Sequence, residues 1–296
     1  MTRPQGAGDR FEPQRRRLFG LAYRMLGSRA EAEDVVQDAF VRFQGADLGR
    51  IAEPAAYLST TVTRLCLDRL KSARRRREAY VGTWLPEPLL SEADPPTPDK
   101  EIELAEDLSF ALLLTLERLT PAERAAFLLH DVFGVNFEQL GEVLQREPAS
   151  CRKLAQRARD RIHRERPRFT IEPDEEQRLV TAFFEASASG DPAKLTDLLT
   201  EDAIVYSDGG GKRRAALNPV IGRERVVRFV LGVQSKATFE TPQALISRRV
   251  NQLPGVVVQY ASGELAVAGF ELRDGRIARI YYVNNPDKLA HLRSEM

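Results

Sequence analysis

The sequence predicts a multidomain chain, two all-α helical domains followed by an α+β domain, and three observations carry that prediction. Apolar residues recur at helical spacing through two separate segments. A run rich in proline and acidic residues, from Trp84 to Asp99, lies between those segments. Beyond about residue 174, helical patterning gives way to short strand-like segments closed by an Asp-Gly turn. At 296 residues the chain is long for one domain, which agrees with this division.

The first segment, 11–80, holds three expected helices. Leu18, Leu21, Ala22, Met25 and Leu26 line one face of the first, and Gly27 with Ser28 closes it. The second runs from about Arg29 to Phe43 with Val35, Val36, Ala39, Phe40 and Phe43 as its apolar stripe. The third begins after Pro54, turns Leu58, Val62, Leu65 and Leu70 inward, and ends in four arginines, 74 to 77. Pro86, Pro88, Pro95, Pro96 and Pro98 then mark residues 81–102 as an extended linker.

Helical patterning returns over 103–168. Thr120, Pro121 and Glu123 form a start signal: an N-cap, a proline at the first helical position and the acid of a capping box. That helix is expected to stop near Gly134. A short helix with Phe137, Leu140, Gly141 and Leu144 on one face follows, then a turn at Gln145-Arg146-Glu147, then a basic helix from Pro148 to about Glu165. Two helices joined by a tight turn, the second one basic, make a helix-turn-helix pattern.

The last domain, 174–296, starts with an amphipathic helix (Leu179, Phe183, Phe184, Ala186) and a shorter one at 193–199. Strand-like segments at 203–206, 256–260, 265–272 and 277–283 follow, with Arg273-Asp274-Gly275-Arg276 as a hairpin turn. These suggest a curled antiparallel sheet.

The formal net charge is only +1, yet its distribution is uneven. Seven Lys/Arg face one acid between residues 64 and 77, and nine face three between 146 and 168. Cys66 and Cys151 are far apart, and His130, His163 and His291 are scattered, which argues against a disulfide framework, a zinc site or any resident cofactor. No apolar run approaches the roughly 18 residues of a membrane span, and no signal-peptide core begins the chain, so a cytoplasmic protein with no membrane partner is expected.

Near the start of a recognition helix side chains reach base edges, and further along they meet phosphates. Ser150, Arg152, Lys153 and Gln156 are therefore expected near bases, with Arg157 and Arg159 on the backbone. The basic stretch 64–77, including Arg64, Arg69 and Lys71, reads either as a solvated face or as a groove tracking single-stranded DNA. Tyr57 and Tyr80 flank it as stacking platforms or as buried rings. The acidic helix carrying Asp34, Gln37 and Asp38 suits its own dipole or a basic partner equally well.

Together these pieces resemble a known family. Asp34-Val35-Val36-Gln37-Asp38-Ala39-Phe40 is similar to the region-2 core of bacterial sigma factors, and Tyr57-Leu58 through Cys66-Leu67-Asp68-Arg69-Leu70 to their promoter-melting helix. Leu119-Thr120-Pro121-Ala122-Glu123-Arg124 and Ser150-Cys151-Arg152-Lys153-Leu154-Ala155-Gln156-Arg157-Ala158-Arg159 resemble region 4. With regions 2 and 4 alone, over about residues 11–168, the match is to the extracytoplasmic-function type. The resemblance implies core RNA polymerase and promoter DNA as partners. It places Asp34, Gln37 and Asp38 toward the polymerase clamp, the 64–77 helix at the minus-10 element and the 148–165 helix at the minus-35 element. Many such factors carry Asn at the position of Arg64 and Arg-Ile at Thr60-Thr61, so the minus-10 preference does not transfer.

Residues 174–296 resemble the SnoaL-like domain fused to the sigma-J-like subgroup. Trp84-Leu85-Pro86-Glu87-Pro88, Asp208-Gly209-Gly210-Gly211-Lys212 and Asn285-Pro286-Asp287-Lys288-Leu289 look like that subgroup's signatures, and the resemblance implies a domain that modulates transcription. The glycine triplet is no phosphate loop, because Arg213 follows Lys212 and the glycine spacing is wrong. It reads as a loop bringing backbone close to another surface, or as a plain hairpin loop. The expected mechanism has the domain dock on regions 2 and 4 through the linker, with the 208–212 loop and the 285–289 segment near region 2 or the linker. Two rivals stand beside it: an isomerase or cyclase using Asp202, Asp208 and His291, and a sensor with a small-molecule ligand in the C-terminal domain.

Overall fold

The computed structural model describes residues 6–91, 108–165, 173–236 and 240–294. Two compact units divide the chain: Met1–Glu78 with Glu101–Arg166, and Ala79–Lys100 with Pro167–Met296. Both helical segments thus share one unit. The described part of the expected linker, up to Ser91, belongs to the other. Pro95, Pro96, Pro98 and the expected helical stretch 103–107 lie outside the described residues, as do the side chains of 74–77.

In the first unit, α1 (Ala7–Leu26) ends where Gly27 takes φ +68° and its N–H bonds Tyr23 O at 2.7 Å. A residue with a Cβ is strained there, so the helix stops. Ser28 caps α2 (Arg29–Gln44) by accepting from Glu31 N at 3.2 Å. With α3 (Pro54–Glu78) these helices bury Phe11, Leu18, Leu21, Met25, Val35, Ala39, Phe43, Leu58, Val62 and Cys66 with no exposed surface apart from Leu18, at 1%. Each large apolar side chain so buried contributes roughly 1.5–3 kcal/mol. Phe40 is half-buried and tilts against Phe11 at 4.8 Å.

The second helical segment begins with α4 (Phe110–Glu117), capped by Ser109. The capping box of α5 (Pro121–Phe127) forms as the sequence predicts: Thr120 Oγ1 accepts from Glu123 N, and Glu123 Oε2 accepts from Thr120 N at 3.0 Å. The helix then widens into a π turn, Leu128–Val132, closed by Phe133 N on Leu128 O, and Gly134 (φ +69°) ends it. Asn136 caps α6 (Phe137–Leu144), and Gln145 at φ +54° makes the tight turn into α7 (Pro148–Glu165). A Cβ at Gly141 would lie 2.7 Å from Arg146 O, so this turn requires glycine there. Cys151, Ala155, Ala158 and Ile162, spaced at helical period, form the buried face of α7.

Guanidinium groups join the two helical segments. Arg124 donates from α5 to Met25 O at the end of α1 and to Glu117 at 3.1 Å, while only 3% exposed. Arg17 of α1 donates to Phe133 O at 3.1 Å and lies over the Phe133 ring. Each cation meets carbonyls at a helix C-terminus, where the dipole favours it.

In the second unit, α8 (Pro173–Ser189) and α9 (Pro192–Leu198) precede a seven-stranded sheet ordered β1-β4-β5-β6-β7-β2-β3. The strands are β1 (Leu90–Ser91), β2 (Leu199–Asp208), β3 (Val220–Ile221), β4 (Pro242–Val250), β5 (Leu253–Tyr260), β6 (Leu265–Arg273) and β7 (Arg276–Val283). The helix α10 (Arg223–Gln234) lies between β3 and β4. One sheet face packs Val180, Phe183, Ala186, Leu195, Val205, Val226, Val256, Val258, Ala268 and Phe270 against the helices. The sheet is not antiparallel throughout, as the pattern suggests: β2 runs parallel to β7, joined by the long crossover that such a pair needs. The hairpin at Asp274 (φ +53°) and Gly275 (φ +68°) has the positive angles its sequence implies.

Among the described residues no helix is long and apolar enough to cross a membrane, and no three His, Cys, Asp or Glu side chains gather as a metal site.

Candidate nucleic-acid interface and strap latch

Along α7 the residues expected to face DNA divide by their partners. Ser150, Lys153 and Arg157 are exposed and make no described side-chain bond. Arg152 lies over the Phe137 ring at 5.2 Å and 3.7 Å from Glu138. Gln156 Nε2 donates to Asp160 at 2.8 Å. Arg159 is half-buried, with Nε on Asp131 Oδ1 at 2.5 Å. The helix therefore carries donors with and without a partner among the described residues.

The residues expected along α3 separate. Arg64 is exposed and donates to Glu142 O of α6 at 3.0 Å. Lys71 pairs with Asp68 one turn away at 2.8 Å. Arg69 turns to α2 instead, meeting Asp34 at 3.3 Å, Asp38 at 3.1 Å and Glu31 O at 3.2 Å. Residues expected on DNA and on the polymerase thus meet each other, which sequence order cannot reveal. Asp34, Gln37 and Asp38 all remain exposed. Tyr57 is half-buried against Phe43, with rings 5.9 Å apart.

Tyr80, expected beside the basic helix, belongs to the second unit. Residues 80–91 form a strap across the sheet, starting at the end of β2 and finishing as β1 beside β4. Asp208 holds its start. Its Oδ1 accepts from Tyr80 Oη at 2.5 Å and Gly210 N at 3.0 Å, and its Oδ2 from Leu85 N and Lys288 Nζ, both at 2.7 Å. Lys288 Nζ also donates to Leu85 O and lies 4.3 Å and 5.0 Å from the Trp84 and Tyr80 ring centres. Asn285 donates to Tyr80 Oη at 2.8 Å, and its Oδ1 accepts Asp287 N at 3.1 Å. Asp208, Asn285, Lys288 and Leu289 are buried, whereas Pro286 is half-buried and Asp287 is exposed, paired with Lys212 at 2.7 Å. Burial first, then the Asp208 carboxylate, pushes the Tyr80 phenol well above its ordinary pKa.

The glycine triplet does bring backbone close to another surface. A Cβ on Gly209 would lie 2.2 Å from Arg213 O, one on Gly210 would lie 2.2 Å from Asn285 Nδ2, and one on Gly211 would lie 3.2 Å from Val81. Gly210 and Gly211 take φ of +62° and +71°. Further along the strap, His291 Nε2 meets Pro88 O at 3.2 Å, and Leu89 N donates to Asn251 at 3.1 Å.

The three residues weighed as an enzymatic set stay apart in their bonding. Asp208 is occupied by the strap, His291 meets Pro88 O, and Asp202 is an exposed carboxylate paired with Arg273, which keeps its pKa below the ordinary value. Sequence reading missed Tyr80 as a latch residue, and with it Asp131, Arg124 and Arg17. All four act through contacts distant in sequence, which periodicity does not encode.

Comparison with known proteins accords with this anatomy. Sigma-70 region 2 matches residues 11–76 and Sigma-70 region 4 matches residues 109–162. The chain belongs to the ECF RNA polymerase sigma factor family. It is 39% identical to the ECF RNA polymerase sigma factor SigJ of Mycobacterium tuberculosis, over 94% of this chain and 91% of that protein. It is 32% identical to that organism's probable ECF RNA polymerase sigma factor SigI, over 94% and 93%. The crystal structure of Mycobacterium tuberculosis SigJ superposes with a TM-score of 0.73 at 35% identity, covering 95% of this chain and 97% of that one.

Proposed function

We propose that this chain brings core RNA polymerase to promoters and that its C-terminal unit modulates the initiation that follows. One observation carries the reading: regions 2 and 4 occur in order in one chain, the second ending in a helix-turn-helix whose last helix presents Ser150, Lys153 and Arg157 to solvent. In this reading α7 meets the minus-35 element and α3 the minus-10 element, and the exposed edge of α2 at Asp34, Gln37 and Asp38 meets the polymerase. Arg69 serves α2 rather than DNA. Its exposed ion pairs, worth about 0–1 kcal/mol each, exchange readily for a partner.

The C-terminal unit acts through the strap, which connects the two sigma regions in sequence. The latch of Asp208, Asn285, Lys288 and Tyr80 holds the start of that strap. In this reading Asp208 holds the strap rather than acting as a catalytic base: both its oxygens already accept two donors each.

Reconstitution with core RNA polymerase and run-off transcription from the promoter of its own neighbouring operon tests the reading. Specific initiation supports it, and failure to bind core overturns it. For the modulating role, Asp208→Asn with Lys288→Met releases the strap without deleting the unit. Unchanged transcription by that variant removes the regulatory assignment.

A further inference from the structure

The π turn at Leu128–Val132 is the irregular element of region 4, and neither the capping box before it nor the helix-turn-helix after it requires it. Its extra residue rotates the side chains beyond it by about 100° relative to a continuous α-helix. Two consecutive residues of the turn support basic residues of α7. Asp131 Oδ1 takes Arg159 Nε at 2.5 Å. His130 stacks on Phe137 with rings 3.9 Å apart, and the Arg152 guanidinium lies over that same ring at 5.2 Å. Asp131 Oδ2 is buried with no hydrogen-bond partner. The carboxylate is thus committed to Arg159 through Oδ1 alone among the described residues.

The bonds continue from Arg159. Its Nη1 reaches Gln156 Oε1 at 3.4 Å, and Gln156 Nε2 is held by Asp160 at 2.8 Å. Asp131 therefore fixes the plane of Arg159, and Arg159 helps fix the amide of Gln156. Arg159 Nη2 has no partner among the described residues, and the Gln156 amide keeps one N–H and one oxygen lone pair. A guanidinium edge beside a fixed amide suits a phosphate next to a base edge.

We propose that Asp131 is a positioning residue for promoter recognition, orienting Arg159 and through it Gln156 toward the minus-35 element. The inference rests on the reading of α7 as the promoter-facing helix. Arranging these side chains in advance spares the ordering cost of binding, so losing the carboxylate weakens base preference rather than folding.

The test uses full-length protein with core RNA polymerase on a promoter pool randomised across the minus-35 element, sequencing the transcribed templates. Variants are Asp131→Asn, Asp131→Ala, Arg159→Ala, Gln156→Ala, Lys153→Ala and the double Asp131→Ala/Arg159→Ala. Asp131→Asn, close to isosteric, is expected to lower initiation about tenfold and flatten preference at the base positions that Arg159→Ala or Gln156→Ala affects. Core binding should stay unchanged, a further variant, Asp131→Glu, should keep part of the preference that Asp131→Asn loses, and the double variant should fall within twofold of Arg159→Ala. The inference is overturned if Asp131→Asn keeps the wild-type preference while Arg159→Ala changes it, or if the two losses multiply. If Lys153→Ala, Gln156→Ala and Arg159→Ala all leave preference unchanged, the reading of α7 itself fails.

Discussion

Asp208 and Lys288 form an ion pair of 2.7 Å while 0% and 9% exposed at their side chains, and both also bond the backbone of Leu85. The pair thus grips one residue of the strap by its N–H and its carbonyl. A buried pair of this kind adds little net stability, but removing one partner strands the other in a dry site.

Lys288→Met is accordingly expected to destabilise the C-terminal unit by about 3–5 kcal/mol, with Asp208→Asn somewhat milder because the amide keeps part of its bonding. Chemical denaturation followed by Trp84 fluorescence reads this directly, since the chain has one tryptophan and it lies over the ammonium. A loss below about 1 kcal/mol for Lys288→Met contradicts the latch.

Alkaline pH tests Tyr80. Its pKa is raised in the folded chain, so the stability of the protonated phenol is fully present below pH ~10, the ordinary tyrosine value, and falls as pH rises past it. Tyr281 and Tyr282 are shifted the same way, so the informative quantity is a difference. Tyr80→Phe should lose stability at neutral pH and decline less steeply between pH 10 and 11. Parallel pH profiles for the two proteins count against the assignment.

Gly210→Ala should cost roughly 1–3 kcal/mol, because the methyl group meets Asn285 and the backbone is already at positive φ. Gly232→Ala, with open space around its Cβ, is the control and should be neutral or stabilising. Equal melting shifts in the two variants count against the steric account.

Arg69→Ala should change stability by no more than about 1 kcal/mol, as its acidic partners are exposed. Core RNA polymerase affinity should hold, whereas Asp38→Asn lowers it. A collapse of promoter opening by Arg69→Ala with normal core binding returns this residue to DNA.

On the promoter itself, Lys153→Ala should cost about 1–3 kcal/mol and relax one base position, while Arg157→Ala weakens all sequences alike and lowers the salt slope by about one. Identical salt slopes for wild type and Arg157→Ala remove Arg157 from the phosphates.

The helical part was the more legible because its signals are local. Thr120 and Glu123 are three residues apart, Gly27 ends a helix beside it, and Cys151, Ala155, Ala158 and Ile162 repeat at one period. The C-terminal unit was read only in part. Its α10 carries Val226, Val227, Phe229, Val230 and Val233, β-branched and aromatic residues that local pattern does not assign to helix. β1 has two residues and exists only because β4 offers an edge. Asp208 and Lys288 appeared as motif members, yet nothing near them in the chain says that a proline-rich segment fills the space between them. Asp131 gave no signal, since its meaning depends on one extra residue in a helical turn.

The strap also sets an order of events during synthesis. Region 4 is inserted, in sequence, between the strap and the rest of the unit that holds it. Leu85 and the lysine that grips it are 203 residues apart. At roughly 5–20 residues per second, the strap leaves the ribosome ten seconds or more before its latch exists. Both sigma regions are complete before that latch can close, so every new molecule passes through an interval in which its helical unit is made and its C-terminal unit is not.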